Sequence, residues 1–129
     1  MIVVDASIIC AIYLQEADAE LYLDLLSRNR GEAVVAPTSY WEATTRARTW
    51  RGEDGVSIAR HLMQRLQIAV IPTDETQTSA AVDARRRFGR GKRGLNMGDC
   101  FSYALAVSLN APLLFQGKDF PLTDVRSAL

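Results

Sequence analysis

Asp5, Glu42, Asp99 and Asp119 are the residues of this chain whose positions invite a chemical reading. Each stands where an apolar run stops or starts. Asp5 follows Ile2-Val-Val4, Glu42 comes shortly after Ala33-Val-Val-Ala36 and Pro37, Asp99 opens the apolar stretch from Cys100 to Leu109, and Asp119 lies just past Pro112-Leu-Leu-Phe115. Carboxylates brought together repel: two of them ~4 Å apart lose about 4 kcal/mol at an effective dielectric of about 20. A cluster of four is tolerable if a divalent cation neutralises it or if some members are protonated. Carboxylate ligation without His or Cys selects a hard cation, Mg²⁺ or Mn²⁺. Carboxylates holding such an ion beside an electrophile suit phosphodiester hydrolysis. In that reading Asp5 and Asp99 are the inner ligands, while Glu42 and Asp119 hold water at the ion and one of them takes a proton from it.

Each acid also has a plain structural role open to it. Asp5 can be a strand-end turn residue, Glu42 can pair with Arg46 one helical turn on, and Asp119 can make an Asx-turn in the Gly117-Lys118 bend. Asn96 can cap a helix with Asp99 at its third position, a capping box. Taken alone, capping outweighs chemistry as the role of Asp99. Joint placement of the four argues the other way, and that depends on the elements that carry them.

Ile2-Val-Val4 reads as a buried first strand. Ser7 is expected to cap a helix over Ile8 to Gln15, and a second helix spans about Asp18 to Arg28 until Gly31 breaks it. Ala33 to Ala36 forms strand two. Thr38 or Ser39 is expected to cap a third helix through Trp50, Gly52-Glu-Asp-Gly55 is a break, and a fourth helix follows through Leu66. Ile68 to Ile71 is strand three, Asp74 opens a fifth helix to about Phe88, and the Asp99 helix leads to strand four at Pro112 to Phe115. Val125 begins a short last strand. Short apolar strands alternating with helices predict an α/β fold with a parallel sheet covered on both faces. In such a fold the end of a strand and the start of its next helix share one edge. All four acids therefore fall at the carboxyl edge, where open α/β sheets bind ligands.

The rest of the sequence bounds the answer. At 129 residues, with 48% hydrophobic and 23% charged residues, the chain reads as one globular domain, 1–129. Fifteen basic and fifteen acidic residues cancel, so net charge favours no partner, but distribution does. Arg85, Arg86, Arg87, Arg90, Lys92 and Arg93 place six cations in nine positions without an acid, punctuated by Gly89, Gly91 and Gly94. Such a segment can follow a phosphate backbone, or it can simply complement a helix C-terminus. His61 is the one histidine and lies mid-helix, far from the acids, so neither a His-based zinc site nor a Ser-His-Asp triad is supported. No phosphate-binding glycine loop follows the first strand. Cys10 and Cys100 sit in apolar settings and read as reduced core residues of a cytoplasmic protein. The opening Met1-Ile-Val-Val-Asp5 does not read as a secretion signal, and no apolar run suits a membrane span.

Met1-Ile-Val-Val-Asp-Ala-Ser7, Glu42 after a Pro-bounded strand, Gly94-Leu-Asn-Met-Gly-Asp-Cys-Phe-Ser-Tyr-Ala104 and Leu113-Leu-Phe-Gln-Gly-Lys-Asp-Phe120 resemble the PIN-domain ribonucleases, and most closely the VapC toxins of bacterial toxin–antitoxin pairs. The likeness runs over essentially the whole chain in the expected order. It implies a three-layer α/β/α sandwich with a short, mainly parallel central sheet. It also implies an Mg²⁺- or Mn²⁺-dependent endoribonuclease, a homodimer, and inhibition by a small VapB-like antitoxin. The family's acidic set maps onto Asp5, Glu42, Asp99 and, less uniformly, Asp119. The hydroxyl of its first motif maps onto Ser7, which would assist Asp5 or water. Lys118 departs from the family pattern, which leaves Asp119 the least secure of the four. Arg86, Arg87, Arg90, Lys92 and Arg93 are the residues expected on the RNA backbone.

Two other classes compete. Phosphatase chemistry of the haloacid-dehalogenase kind also starts from a strand-end Asp, but needs a second Asp two residues on, where Ser7 stands. A non-catalytic PIN-like module that binds RNA or a protein would keep the fold while leaving the four acids without a purpose.

Overall fold

The computed structural model describes residues 1–89 and 94–129. Four short strands, β1 (Ile2–Val4), β2 (Ala33–Val35), β3 (Ala69–Val70) and β4 (Leu113–Leu114), form one sheet in the order β3-β2-β1-β4, every pair parallel. Among the described residues five helices accompany them: α1 (Ala6–Tyr13), α2 (Ala19–Arg28), α3 (Pro37–Arg65), α4 (Glu75–Phe88) and α5 (Met97–Ser108), with a 3₁₀ turn at Phe120–Leu122.

The period of two along each strand divides the core. Val4, Val35 and Leu114 face a cluster built with Ile8, Ile9, Ile12 and Leu26 of α1 and α2 and Ala43, Ala47, Ala59 and Met63 of α3. Val3, Val34 and Leu113 face a second cluster with Ala81 and Ala84 of α4 and Tyr103, Ala104 and Leu105 of α5. Apolar side chains on both faces are what a parallel sheet requires, and the result is the expected three-layer α/β/α sandwich. Edge strand β3 is the exception, with both residues exposed.

The chain lays β2 and β3 on one side of β1 and then places β4 on the other. The order therefore reverses between β1 and β4, and the carboxyl ends of these two strands border the crevice where such sheets take ligands.

Several local expectations need correction. Asp5, not Ser7, is the N-cap of α1: its carboxylate accepts the Ser7 amide at 3.1 Å. Neither Thr38 nor Ser39 caps α3. Ala36 takes that position and Pro37 fills the first turn, where a missing N–H is harmless. The break expected at residues 52–55 lies at Arg51 and Gly52. Gly52 has φ 58° and ψ −145°, a conformation closed to side-chain-bearing residues, and the helix resumes beyond it. No last strand starts at Val125. The chain makes only an isolated bridge from Ser127 to Leu113. Helix α5 is less enclosed than its composition suggests, because Val107 is 50% exposed. Among the described residues no helix is long and apolar enough to cross a membrane.

Candidate active site

Asp5 ends β1 and starts α1, and it is 6% exposed. Both its oxygens are engaged: Oδ2 by the Ser7 amide at 3.1 Å, Oδ1 by the Ser102 hydroxyl of α5 at 2.8 Å. Glu42 projects from the second turn of α3, half-buried. Asp99 sits in the first turn of α5, where Asn96 and Asp99 make the full capping box: the Asn96 side chain accepts the Asp99 amide at 2.8 Å and the Asp99 carboxylate accepts the Asn96 amide at 3.1 Å. Asp119 precedes the 3₁₀ turn and makes no capping bond of its own. Its place is set by neighbours. Phe120 is buried with its ring 5.0 Å from Phe115, and the Gln116 amide donates to the Ser7 hydroxyl at 3.1 Å.

Two of the four acids, Asp99 and Glu42, feel their neighbours. Burial raises the Asp99 carboxyl to about 6; its bond from the Asn96 amide opposes that, while Asp5, Asp119 and Glu42 push it further up. Burial also raises Glu42, with Asp5 adding to the shift and Arg46 opposing it. Burial, the largest cause in both, keeps the two carboxyls raised in spite of the capping bond and the Arg46 charge. Asp99 is a member of the α5 capping box and also lies within electrostatic reach of Asp5, Asp119 and Glu42. Glu42 forms no ion pair with Arg46 among the described residues.

The donor set is all oxygen, half-buried and mutually repelling, which fits a hard divalent cation. As the side chains stand, no three metal-binding groups among the described residues meet around one point. Mg²⁺ is usually held by one or two carboxylates and completes its shell with water, so convergence of three is not needed.

Other readings settle plainly. His61 is an exposed α3 residue whose ring nitrogen lies 3.0 Å from the Ser57 carbonyl. Cys10 and Cys100 are buried free thiols. Arg86 and Arg87 are held by acids of their own chain, Arg86 by Asp83 at 2.6 Å and Arg87 by Asp124 at 3.5 Å. Arg90, Lys92 and Arg93 lie outside the described residues.

Two residues at the site carried no sequence signal. Ser102 reads as one more helix serine, yet it holds Asp5. Gly98 reads as a helix-start glycine, yet a Cβ there would stand 2.8 Å from Glu42 Oε2, so its bareness admits the Glu42 carboxylate to the first turn of α5.

The model of the PIN domain matches residues 2–125. This chain belongs to the PIN-domain family, in its VapC branch. It is 40% identical to a Ribonuclease VapC of Mycolicibacterium smegmatis over 125 residues, 95% of this chain and 96% of that one. It is 38% identical to Ribonuclease VapC28 of Mycobacterium tuberculosis over 130 residues, covering 98% and 97%. Among solved structures, M. tuberculosis VapC20, described as a Sarcin-Ricin loop cleaving toxin, superposes with a TM-score of 0.79 at 15% identity over 97% of this chain and 96% of that one. VapBC2 of Rickettsia felis, bound to a DNA fragment from its promoter, superposes at 0.74 with 18% identity, covering 98% and 96%. These likenesses bear out the PIN fold read from the motifs.

Proposed function

We propose that this VapC-branch protein is the toxin of a toxin–antitoxin pair and a metal-dependent endoribonuclease. What carries the reading is the set of four acids on separate elements around the carboxyl end of β1, with Asp99 raised by burial and then by Asp5, Asp119 and Glu42. The relatives named as ribonucleases supply the substrate class.

Asp5 and Asp99 would hold Mg²⁺ or Mn²⁺, with Glu42 and Asp119 beside them. Bound there, the cation would make water a stronger nucleophile and neutralise charge on the phosphoryl oxygens. The protein's part is positional and protonic. Asp5 is held rigid by the Ser7 amide and the Ser102 hydroxyl. Glu42, raised by burial, suits acceptance of a proton from attacking water. Asp119 would orient that water, and Ser7, whose hydroxyl accepts the Gln116 amide, ties the Asp119 turn to α1. Arg90, Lys92 and Arg93, with Arg86 and Arg87 where they can leave their acids, would contact the RNA backbone.

The partners are proposals of the same reading. An antitoxin is expected because the solved neighbours include toxin–antitoxin complexes. A second copy is the occupant we assign to an apolar strip beside the site, where Trp41, Val82 and Met97 are 65%, 68% and 67% exposed. Trp41 and Met97 line a hollow of about 610 Å³ that reaches Glu42 and Gly98.

The test is direct. Protein purified free of antitoxin should cleave RNA with Mg²⁺ or Mn²⁺, and Asp99→Asn should abolish cleavage with the fold intact. Equal cleavage by the variant, or in excess chelator, would overturn the reading. Tight RNA binding without cleavage would favour a non-catalytic module.

A further inference from the structure

Ser39 of α3 and Ser102 of α5 are the two polar side chains with no exposure at all among the described residues. A buried hydroxyl is unfavourable unless bonded, and a helical serine ordinarily bonds the carbonyl one turn back. These two hydroxyls bond outside their own helices instead. Their oxygens lie 2.8 Å apart, and Ser102 reaches Asp5 Oδ1 at 2.8 Å. A carboxylate only accepts, so the Ser102 proton is committed to Asp5 and the proton between the two hydroxyls must come from Ser39. The direction Ser39 to Ser102 to Asp5 is thereby fixed, and bonds in such a chain polarise one another. Alanine at either position would fill the same apolar space between α3, α5 and the end of β1 without needing a partner.

We propose that Ser102 and, through it, Ser39 are positioning residues for Asp5, a two-hydroxyl relay that joins α3 and α5 to the end of β1 and fixes the orientation of the Asp5 carboxylate. The inference rests on the reading of Asp5 as a site acid. Its direct consequence does not need catalysis: without the relay, one Asp5 oxygen loses its donor and the side chain is held by the Ser7 amide alone.

The experiment uses the full chain with Ser102→Ala, Ser39→Ala, the double variant and a control, Ala106→Gly, which loosens α5 without touching Asp5. Three quantities are read: kcat and KM on RNA; the Mn²⁺ concentration giving half of the Mn²⁺-induced rise in Tm, without RNA; and the ¹³Cγ resonance of Asp5 in metal-free protein. Ser102→Ala should lower kcat about tenfold at unchanged KM and raise the Mn²⁺ half-saturation by a similar factor. It should also move the Asp5 resonance. Ser39→Ala should do less, and the double variant should match Ser102→Ala, because Ser39 acts only through Ser102. The control should lower Tm and leave the other quantities alone. Wild-type values of kcat, half-saturation and resonance in Ser102→Ala, or strictly additive effects of the two serines, would overturn the proposal. Ser39→Ala, which leaves Asp5 its donor, keeps the test open if Ser102→Ala fails to fold: an unmoved half-saturation and resonance there would also overturn it. If the wild type neither cleaves RNA nor responds to Mn²⁺ while the Asp5 resonance moves in Ser102→Ala, the nuclease reading falls and the positioning of Asp5 stands.

Discussion

Gly98 and Glu42 meet across the site: a methyl group at position 98 would lie 2.8 Å from Glu42 Oε2. The clash is with the far end of a flexible side chain, so the backbone has no reason to move. Alanine is also the better helix former, by roughly 1 kcal/mol over glycine. Gly98→Ala should therefore leave Tm unchanged or slightly raised while displacing the Glu42 carboxylate. RNA cleavage should fall about tenfold or more. Thermal melts beside single-turnover cleavage check this, and a variant with lost stability and normal specific activity would contradict it.

Asp99 carries a pH signature. Its carboxyl titrates at about 6 in the folded protein against an ordinary 3.8. A raised folded-state value means that ionisation works against the fold: the contribution to stability is complete below about pH 4 and is lost as pH rises through 6. Burial raises Glu42 in the same sense. Asp99→Asn keeps an acceptor for the Asn96 amide and removes the charge. At pH 7.5 without metal it should be more stable than the wild type by about 1–2 kcal/mol, the shift being discounted for partial exposure. The gap should close near pH 4. Mn²⁺ should raise the Tm of the wild type and leave that of the variant nearly unchanged. Melts of both proteins across this pH range, with and without Mn²⁺, give the answer.

These two residues also show what the sequence discloses. The edge positions of Asp5 and Asp99 are legible because each marks a boundary between apolar periodicities, and the parallel α/β pattern sends such boundaries to one edge. The cap of α1 is ambiguous in the sequence because Asp5 and Ser7 are both good capping residues two positions apart, and backbone geometry selects Asp5. The contacts of Gly98 with Glu42 and of Ser102 with Asp5 were not legible. Their partners lie 56 and 97 positions away, and neither glycine at a helix start nor serine within a helix is unusual enough to announce a tertiary role. Strand lengths are shorter than the apolar runs, since only Ala69–Val70 of Ile68–Ile71 and Leu113–Leu114 of Pro112–Phe115 are strand. Apolar runs there continue into connections that still feed the core.

Exposed Met97 lines one hollow with Trp41 and another with Val82, so the three side chains join the beginnings of α3 and α5 to α4. Large apolar side chains so exposed and so close together mark an interaction surface. With a second copy seated there, Met97→Asp and Val82→Asp should each convert a dimer to a monomer in sedimentation velocity, with Tm of the monomer within a few degrees of an isolated wild-type protomer. Neither residue contributes to the core, so unfolding is not the expected outcome. A wild type that sediments as a monomer at all concentrations would remove the second copy and leave the strip to the antitoxin.

The basic segment divides by what its members already hold. Arg86 and Arg87 are paired with Asp83 and Asp124, and Arg87 also lies 4.6 Å over the Phe88 ring. Binding a phosphate would mean leaving those partners, so each gains little net free energy from RNA even though exposed pairs are weak. Arg90, Lys92 and Arg93 form the glycine-spaced end of the run, and sequence alone places three cations there. Each phosphate neutralised on single-stranded RNA contributes about 0.7 to the slope of log affinity against log salt. Replacing Arg90, Lys92 and Arg93 together by Ala in an Asp99→Asn background should weaken RNA binding at low salt and flatten that slope by about 2. Arg86→Ala with Arg87→Ala should change it by well under 1. Fluorescence anisotropy of a short labelled RNA across a salt series measures both. A slope left unchanged by the triple replacement would show that the RNA backbone is held elsewhere.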